Sequence, residues 1–211
     1  MKKEKKELTS RDLQAIETKS KIIAVSKMLF ANNSFNGTTI RQISKEVGMA
    51  DGLIYHYFPD GKKGILNFIL DEFVTERSEK IEEELLVLEK IYSMKEILEL
   101  LGNTIFKYFG KDKNLLIILM REQSTFDEIH MRRFHKNIKK IVIKTLKIIK
   151  NKINEEQIKS FDVLMMANQF WSSIYSFIIQ NALFQNNNFY SYSKEEYLKL
   201  IIDHTLKTWQ K

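Results

Sequence analysis

Residues 38–58, TTIRQISKEVGMADGLIYHYF, read as two short amphipathic helices separated by a single glycine. Thr39 is placed to cap the first helix. Gln42, three residues on, can return a bond to the cap's own N–H, the reciprocal capping arrangement. Ile40, Ile43 and Val47 follow at i, i+3 and i+7, so the helix is expected to bury all three on one face. Gly48 should end it, because the residue after a helix often takes a left-handed conformation that only glycine adopts without steric cost. In the second helix Ile54 and Phe58 face inward, while Tyr55, His56 and part of Tyr57 face outward. Gly52 leaves the first turn bare enough for close backbone approach. Two helices spaced in this way form a helix-turn-helix, whose second helix lies in the DNA major groove.

Working outward, residues 18–66 resemble the DNA-binding domain of the TetR family of bacterial transcriptional regulators. The resemblance is carried by Ile22, Ile23, Met28, Leu29 and Phe30, then Gly37, Thr38 and Thr39, then Ile43, Gly48 and Gly52, and finally Tyr55, His56, Tyr57, Phe58 and Lys62. It covers about a quarter of the chain. Three positions depart from the family pattern. Ala50 stands where a capping serine is usual, Asp51 where a basic residue is usual, and Leu53 where a small hydroxyl residue is common. The loop around Pro59, Asp60 and Gly61 is also one residue longer than the commonest form. A lost cap costs about 1 kcal/mol, Asp51 suits the helix N-terminus but repels phosphates, and Leu53 suits a thymine methyl. The departures bear on the operator sequence more than on DNA binding itself.

The resemblance implies that Tyr55, Tyr57 and Lys62 touch the DNA backbone. Thr39 suits a phosphate at a helix N-terminus, and Arg41 is the one arginine in the first reading helix. His56 and Leu53 are expected nearer the bases, with Ala50, Asp51 and Gly52 at the start of the reading helix.

Charge and glycine divide the chain in the same way. Residues 1–66 hold 12 Lys and Arg against 7 Asp and Glu, whereas residues 67–211 hold 22 against 20, so most of the overall +7 lies with the helix-turn-helix. Five of the seven glycines and the only proline fall between residues 37 and 64, which leaves little beyond them to interrupt helices. Pairs of capping type (Ser93 with Glu96, Thr125 with Glu128, Asn154 with Gln157, Ser193 with Glu196) predict helices over 61–90, 94–109, 113–123, 126–152, 155–184 and 194–209. With three at the N-terminus this makes an all-α chain of about nine helices. The expected organisation is a basic, solvated tail over 1–9, a three-helix DNA-binding domain over 10–66, and a larger helical ligand-binding and dimerisation domain over 67–211. An Asn-rich turn is expected at Asn186–Asn188.

The stretch from Phe161 to Phe184 is apolar nearly all round, so it should be covered on more than one side. One side is expected to pack within its own domain. In the family the last two long helices of each subunit form a four-helix dimer interface, which here implies a homodimer through 155–184 and 194–209. The family also has a cavity whose occupation moves the helix near 61–90. Candidate lining residues are Phe106, Phe109, Met120, Phe126, Phe134, Met165, Met166 and Phe170, with Asn168, Gln169 and Ser173 as polar handles. No cluster of acids accompanies them, so a mainly hydrophobic small effector is expected.

Arg132, Lys136, Lys139, Lys140, Lys144 and Lys147 form a basic stripe that reads as the solvated face of an amphipathic helix. His130 and His135 are five residues apart, which puts their rings on different helix faces, so no metal is expected. The chain contains no cysteine. It shows no nucleophile-and-base motif and no phosphate-cradling loop, so neither an enzyme nor a cofactor is expected. The basic stretch Lys2–Lys6 is followed by no apolar run and no stretch of 18 uncharged apolar residues occurs, so the chain reads as a cytoplasmic protein with no membrane partner. The function expected is a repressor released from double-stranded operator DNA by its effector. The alternative is an effector-independent architectural or division-linked DNA-binding protein of the same fold.

Overall fold

A computed structural model describes residues 9–88, 93–110, 112–155, 162–183 and 191–209. These residues form α1 (Ser10–Asn33), α2 (Ile40–Val47), α3 (Asp51–Tyr57), α4 (Gly61–Leu88), α5 (Met94–Phe109), α6 (Lys113–Arg121), a 3₁₀ turn (Gln123–Thr125), α7 (Glu128–Glu155), α8 (Val163–Leu183) and α9 (Lys194–Trp209). Among the described residues the chain is all-α.

The helices fall into two compact units. The first comprises residues up to Leu70 together with Ile118–Asp127; the second comprises Asp71–Ile117 and the chain from Glu128 onward. The return of Ile118–Asp127 to the first unit has no counterpart in the reading of the sequence, which divides the chain once, at 66/67.

In the first unit Ile22, Phe30, Ile43, Ile54, Ile65 and Leu66 are fully buried and form the centre on which α1, α2 and α3 pack. Ile43 and Val47 are buried as their spacing requires, but Ile40, at the helix start, is only half-buried. Thr9, grouped by composition with the tail, caps α1: its hydroxyl accepts from the Asp12 N–H at 3.2 Å and its own N–H donates to the Asp12 carboxylate at 3.0 Å.

The second unit packs α5 against α8 and α9, with α7 against α8 and α5. Met94, Leu98, Phe170, Ile174 and Trp209 are buried in this core. Gly102 lies where α5 meets α9, and a Cβ there would run into the Leu198 side chain. The caps at Ser93 and Ser193 form as expected, with Glu96 N–H to Ser93 Oγ at 3.3 Å and Glu196 N–H to Ser193 Oγ at 3.2 Å.

Two expected caps do not form. Thr125 lies in the 3₁₀ turn, and α7 begins at Glu128 rather than 126. At the other end α7 continues to Glu155, with Asn154 inside it, because Ile153 extends the buried face of Ile149 by one turn and no breaker intervenes. The next helix starts at Val163 instead of 155, with the Asp162 carboxylate accepting from the Met165 N–H at 2.9 Å. Gln157, Phe161, Phe184, Asn186–Asn188 and residues 1–8 lie outside the described residues.

Candidate nucleic-acid interface and effector cavity

The turn between α2 and α3 is built by three local devices. Thr39 and Gln42 form the full reciprocal cap, at 3.2 Å for Gln42 N–H to Thr39 Oγ1 and 2.7 Å for Thr39 N–H to Gln42 Oε1. Gly48 takes the left-handed conformation (φ 82°, ψ 40°), and its N–H and that of Met49 close on the Ser44 carbonyl, both at 2.9 Å. Ala50 offers α3 no side-chain cap. Asp51 instead receives a hydrogen bond from the Ser44 hydroxyl, so the acid that displaces a basic residue ties α3 to α2.

This arrangement leaves one face of the helix pair in solvent. Thr39, Arg41, Ala50, Asp51, Gly52, Leu53, Tyr55 and His56 are exposed and Tyr57 is half-buried with its ring edge-on to His56 at 5.3 Å. A Cβ placed on Gly52 would meet no atom within 4 Å, so the first turn of α3 presents bare backbone. Beneath this face Ile54 and Phe58 are buried as their spacing predicts.

Lys62, expected at the phosphates, is engaged within the first unit. Its ammonium donates to the carbonyls of Phe35 at 2.6 Å and Thr38 at 2.8 Å and lies 4.2 Å from the centre of the Phe35 ring. Burial pulls its pKa below the ordinary lysine value, and the nearby Glu122 carboxylate opposes that shift. The side chain holds the first turn of α4 to the loop between α1 and α2.

The returning segment provides a second brace within the first unit that the sequence did not signal. Glu122 is only 5% exposed and accepts from the Phe35 N–H at 3.0 Å, while Arg121 pairs with Glu122 at 3.1 Å and donates to the carbonyls of Phe30 and Ala31, the latter at 3.0 Å. Asp127 pairs with Lys63 at 3.1 Å, and its N–H and carboxylate bind the Asn67 amide at 3.1 and 2.6 Å. The end of α1 and the loop leading to α2 therefore have their exposed backbone groups satisfied by residues some 90 positions later.

The second unit contains an apolar cavity of about 280 Å³ between α4, α5, α7 and α8. Leu85, Ile105, Phe109, Ile141, Val142 and Trp171 supply apolar walls, and Thr104, Thr145, Asn168 and Tyr175 bring polar atoms. Among the described residues no lysine, arginine or carboxylate lines it. Burial pushes the Tyr175 phenol up to about 12, so it is a neutral donor at any physiological pH. Its hydroxyl has no hydrogen-bond partner among the described residues. Thr104 donates to Glu84 at 2.7 Å and Thr145 to the Ile141 carbonyl at 3.0 Å, which leaves each hydroxyl free to accept. Burial raises the Glu84 pKa, but hydrogen bonds from Lys107, Thr104 and Tyr108 outweigh it and hold the carboxyl below the ordinary value.

Of the residues expected at an effector, Phe109 and Asn168 line this cavity; Phe106 lines a second, open one. Met166 and Phe170 belong to the core, and Phe134 is half-buried beside Phe73 at 6.1 Å between ring centres. Gln169 is exposed, and the Ser173 hydroxyl donates to the Gln169 carbonyl at 3.0 Å. Met120, at 56% exposure, and the buried Phe126 belong to the first unit, so the expected set does not fall within one unit. The polar set at Thr104, Thr145 and Tyr175 was masked by helical periodicity, which marks these positions only as inward-facing.

The basic stripe of α7 is partly neutralised, since Lys140 and Lys144 both reach Glu82 at 2.7 Å. His130 pairs with Asp71 at 2.8 Å, an oxygen it shares with Arg133 at 2.9 Å. Among the described residues no three His, Asp or Glu side chains group as metal ligands, and no helix is long and apolar enough to cross a membrane.

Residues 22–68 match the family model of bacterial regulatory proteins, tetR family. The fatty acid metabolism regulator protein of Bacillus subtilis (strain 168) is 33% identical over 101 residues, 48% of this chain and 50% of that protein. The chain spans half or less of the length of the curated relatives it matches. The fold extends further than the sequence likeness. The TetR family transcriptional regulator PfmR from Thermus thermophilus superposes with a TM-score of 0.71 at 15% identity, over 88% of this chain and 97% of that one. The transcriptional regulator FadR from Bacillus subtilis, in complex with stearoyl-CoA, gives 0.64 at 21% identity over 89% and 97%. Residues 22–68 thus match the DNA-binding domain of the tetR family, and the described chain shares the all-α fold of the TetR-family regulators to which it is similar.

Proposed function

We propose that the protein is a ligand-responsive transcriptional regulator that binds operator DNA as a homodimer and leaves it when an effector enters the second unit. The observation that carries the reading is the exposed α2–α3 face, with its bare first turn at Gly52, on a domain that matches the family. Thr39, Arg41, Tyr55 and Tyr57 supply backbone contacts, and Leu53 and His56 approach the bases. The operator is pseudo-palindromic, because a two-fold dimer presents two α3 helices.

The effector has an apolar chain with one uncharged acceptor near its end. Walls without charge exclude an ionised group, and the free Tyr175 hydroxyl calls for a carbonyl. The acyl end of a thioester meets both requirements, with its charged coenzyme part outside the cavity, in keeping with the ligand of the Bacillus subtilis FadR structure. A volume of about 280 Å³ lies at the small end of ligand cavities and favours a chain of few carbons. The cavity weighs against an effector-independent architectural role.

Dimerisation uses the outer faces of α8 and α9. Leu164, Met165 and Leu200 are exposed there at 48, 66 and 47%. Ile178, at 5%, is buried within its own subunit and does not belong to this outer face. The test is binding of the protein to the DNA upstream of its own gene, followed by titration with acyl-CoA thioesters of increasing chain length. Release of DNA by a short-chain thioester, and not by free CoA, is expected. Binding to that DNA with no response to any thioester would favour the effector-independent alternative.

A further inference from the structure

The second unit has another cavity, of about 590 Å³, open to solvent between α5, α6, α8 and the start of α9. It shares no lining residue with the apolar cavity, and its character is different. Phe106 and Phe177 form an edge-to-face pair at 5.7 Å within its wall, and Leu116 and Ala182 extend the apolar surface. Two ammonium groups stand at the same opening: Lys113 in the first turn of α6 and Lys194 in the first turn of α9. Among the described residues no carboxylate lines the cavity. Among the described residues Lys113 has no acidic partner, and Lys194 has only the exposed Glu195, at 3.7 Å. Lys194 also lies 5.4 Å from the centre of the Phe106 ring, which sets its charge directly over the apolar wall.

We infer that this open cavity is a binding site for an anionic amphiphile, a single phosphate or carboxylate head on a short apolar tail. The head lies between Lys113 and Lys194 and the tail on Phe106, Phe177 and Ala182. Two cations alone would be a solvated surface, and an apolar wall alone would take a neutral molecule. Their juxtaposition selects a ligand that has both parts. The site is independent of the effector cavity, so its failure would leave the reading of that cavity untouched.

The experiment titrates the full-length protein by calorimetry with octyl phosphate, octanoate and octanol, each below its aggregation threshold. Binding of one or both anions and no detectable binding of octanol is expected, and the comparison of the two anions tells which head the site prefers. Because both lysines are partly exposed, Lys113→Gln and Lys194→Gln should each weaken binding by roughly two- to fivefold, the range given by exposed ion pairs. Ala182→Leu should abolish binding by filling the cavity, whereas Ile141→Phe, which fills the apolar cavity instead, should leave it unchanged. The inference is overturned if neither anion binds, if octanol binds as tightly as octyl phosphate, if the lysine variants bind normally, or if Ile141→Phe alone removes binding.

Discussion

Replacing Lys62 by methionine separates a structural lysine from a phosphate-binding one. The side chain makes two charge-assisted hydrogen bonds, to Phe35 at 2.6 Å and Thr38 at 2.8 Å, and a cation–π contact with the Phe35 ring at 4.2 Å. Hydrogen bonds to a charged group contribute about 1.5–3 kcal/mol each when well buried, and an exposed cation–π contact about 0.5–1 kcal/mol. Lys62 is only half-buried and burial disfavours its charge, so a discounted total of about 2 kcal/mol is reasonable. Methionine keeps most of the apolar stem but loses both bonds. Urea unfolding of Lys62→Met should therefore show a loss of about 2 kcal/mol at unchanged m value. Operator affinity measured from low to high salt should keep its slope, since no phosphate contact is lost, and should fall only as far as the reading face is loosened. A slope reduced by about 1 per subunit, with unchanged unfolding free energy, would refute this and return Lys62 to the DNA backbone.

Gly52→Ala should leave the fold intact or stabilise it by up to about 1 kcal/mol, since the new methyl meets nothing within 4 Å, yet weaken operator binding in a gel-shift titration; unchanged affinity would show that the backbone there stays clear of DNA. Arg121→Met should destabilise the first unit by about 2 kcal/mol in urea, because it strips the Phe30 and Ala31 carbonyls of a donor and leaves the buried Glu122 with its Phe35 N–H bond but without its ion pair. Hydrogen bonds from Lys140 and then Lys144 hold the Glu82 carboxyl below its ordinary value, against an opposing effect of burial. Its contribution to stability is thus present above the unfolded pKa of about 4.3 and is lost as pH falls through the lower folded value. Glu82→Gln should accordingly be less stable than the unmodified protein near neutrality and converge with it in acid. Met165→Glu should give monomers by sedimentation at micromolar concentration, whereas a persistent dimer would move the interface elsewhere.

How much was legible in the sequence follows from where the determining contacts lie along the chain. The Thr39–Gln42 cap, the left-handed Gly48 and the caps at Ser93 and Ser193 are decided within four residues, and they form as expected. Thr9 and Asp12 carry the same kind of signal in a stretch whose composition suggested only a tail. The signals at Thr125 and Asn154 failed because a buried apolar face can carry a helix past a local stop and a turn can take up a threonine. The bonds that Lys62 makes within its own unit could not be foreseen, since its partners are 27 and 24 residues away and a lysine beside a reading helix looks like a phosphate ligand. The cavity was hidden for a related reason. Periodicity identifies Thr104, Thr145 and Tyr175 as inward-facing, but only the packing of four helices shows that space remains among them.

The return of Ile118–Asp127 to the DNA-binding unit has a consequence for the order of events during synthesis. When the first 70 residues have left the ribosome, α1 to α3 can collapse around Ile22, Phe30, Ile43 and Ile54, but the end of α1 still lacks Arg121 and the Phe35 N–H still lacks Glu122. At about 5–20 residues per second, these partners arrive several seconds later. The nascent domain passes through a frayed stage in which the reading helix is formed but not braced. A fragment ending at Leu70 would stay in that stage, so transplanting this reading head onto another protein requires a cut and a splice at two places in the chain.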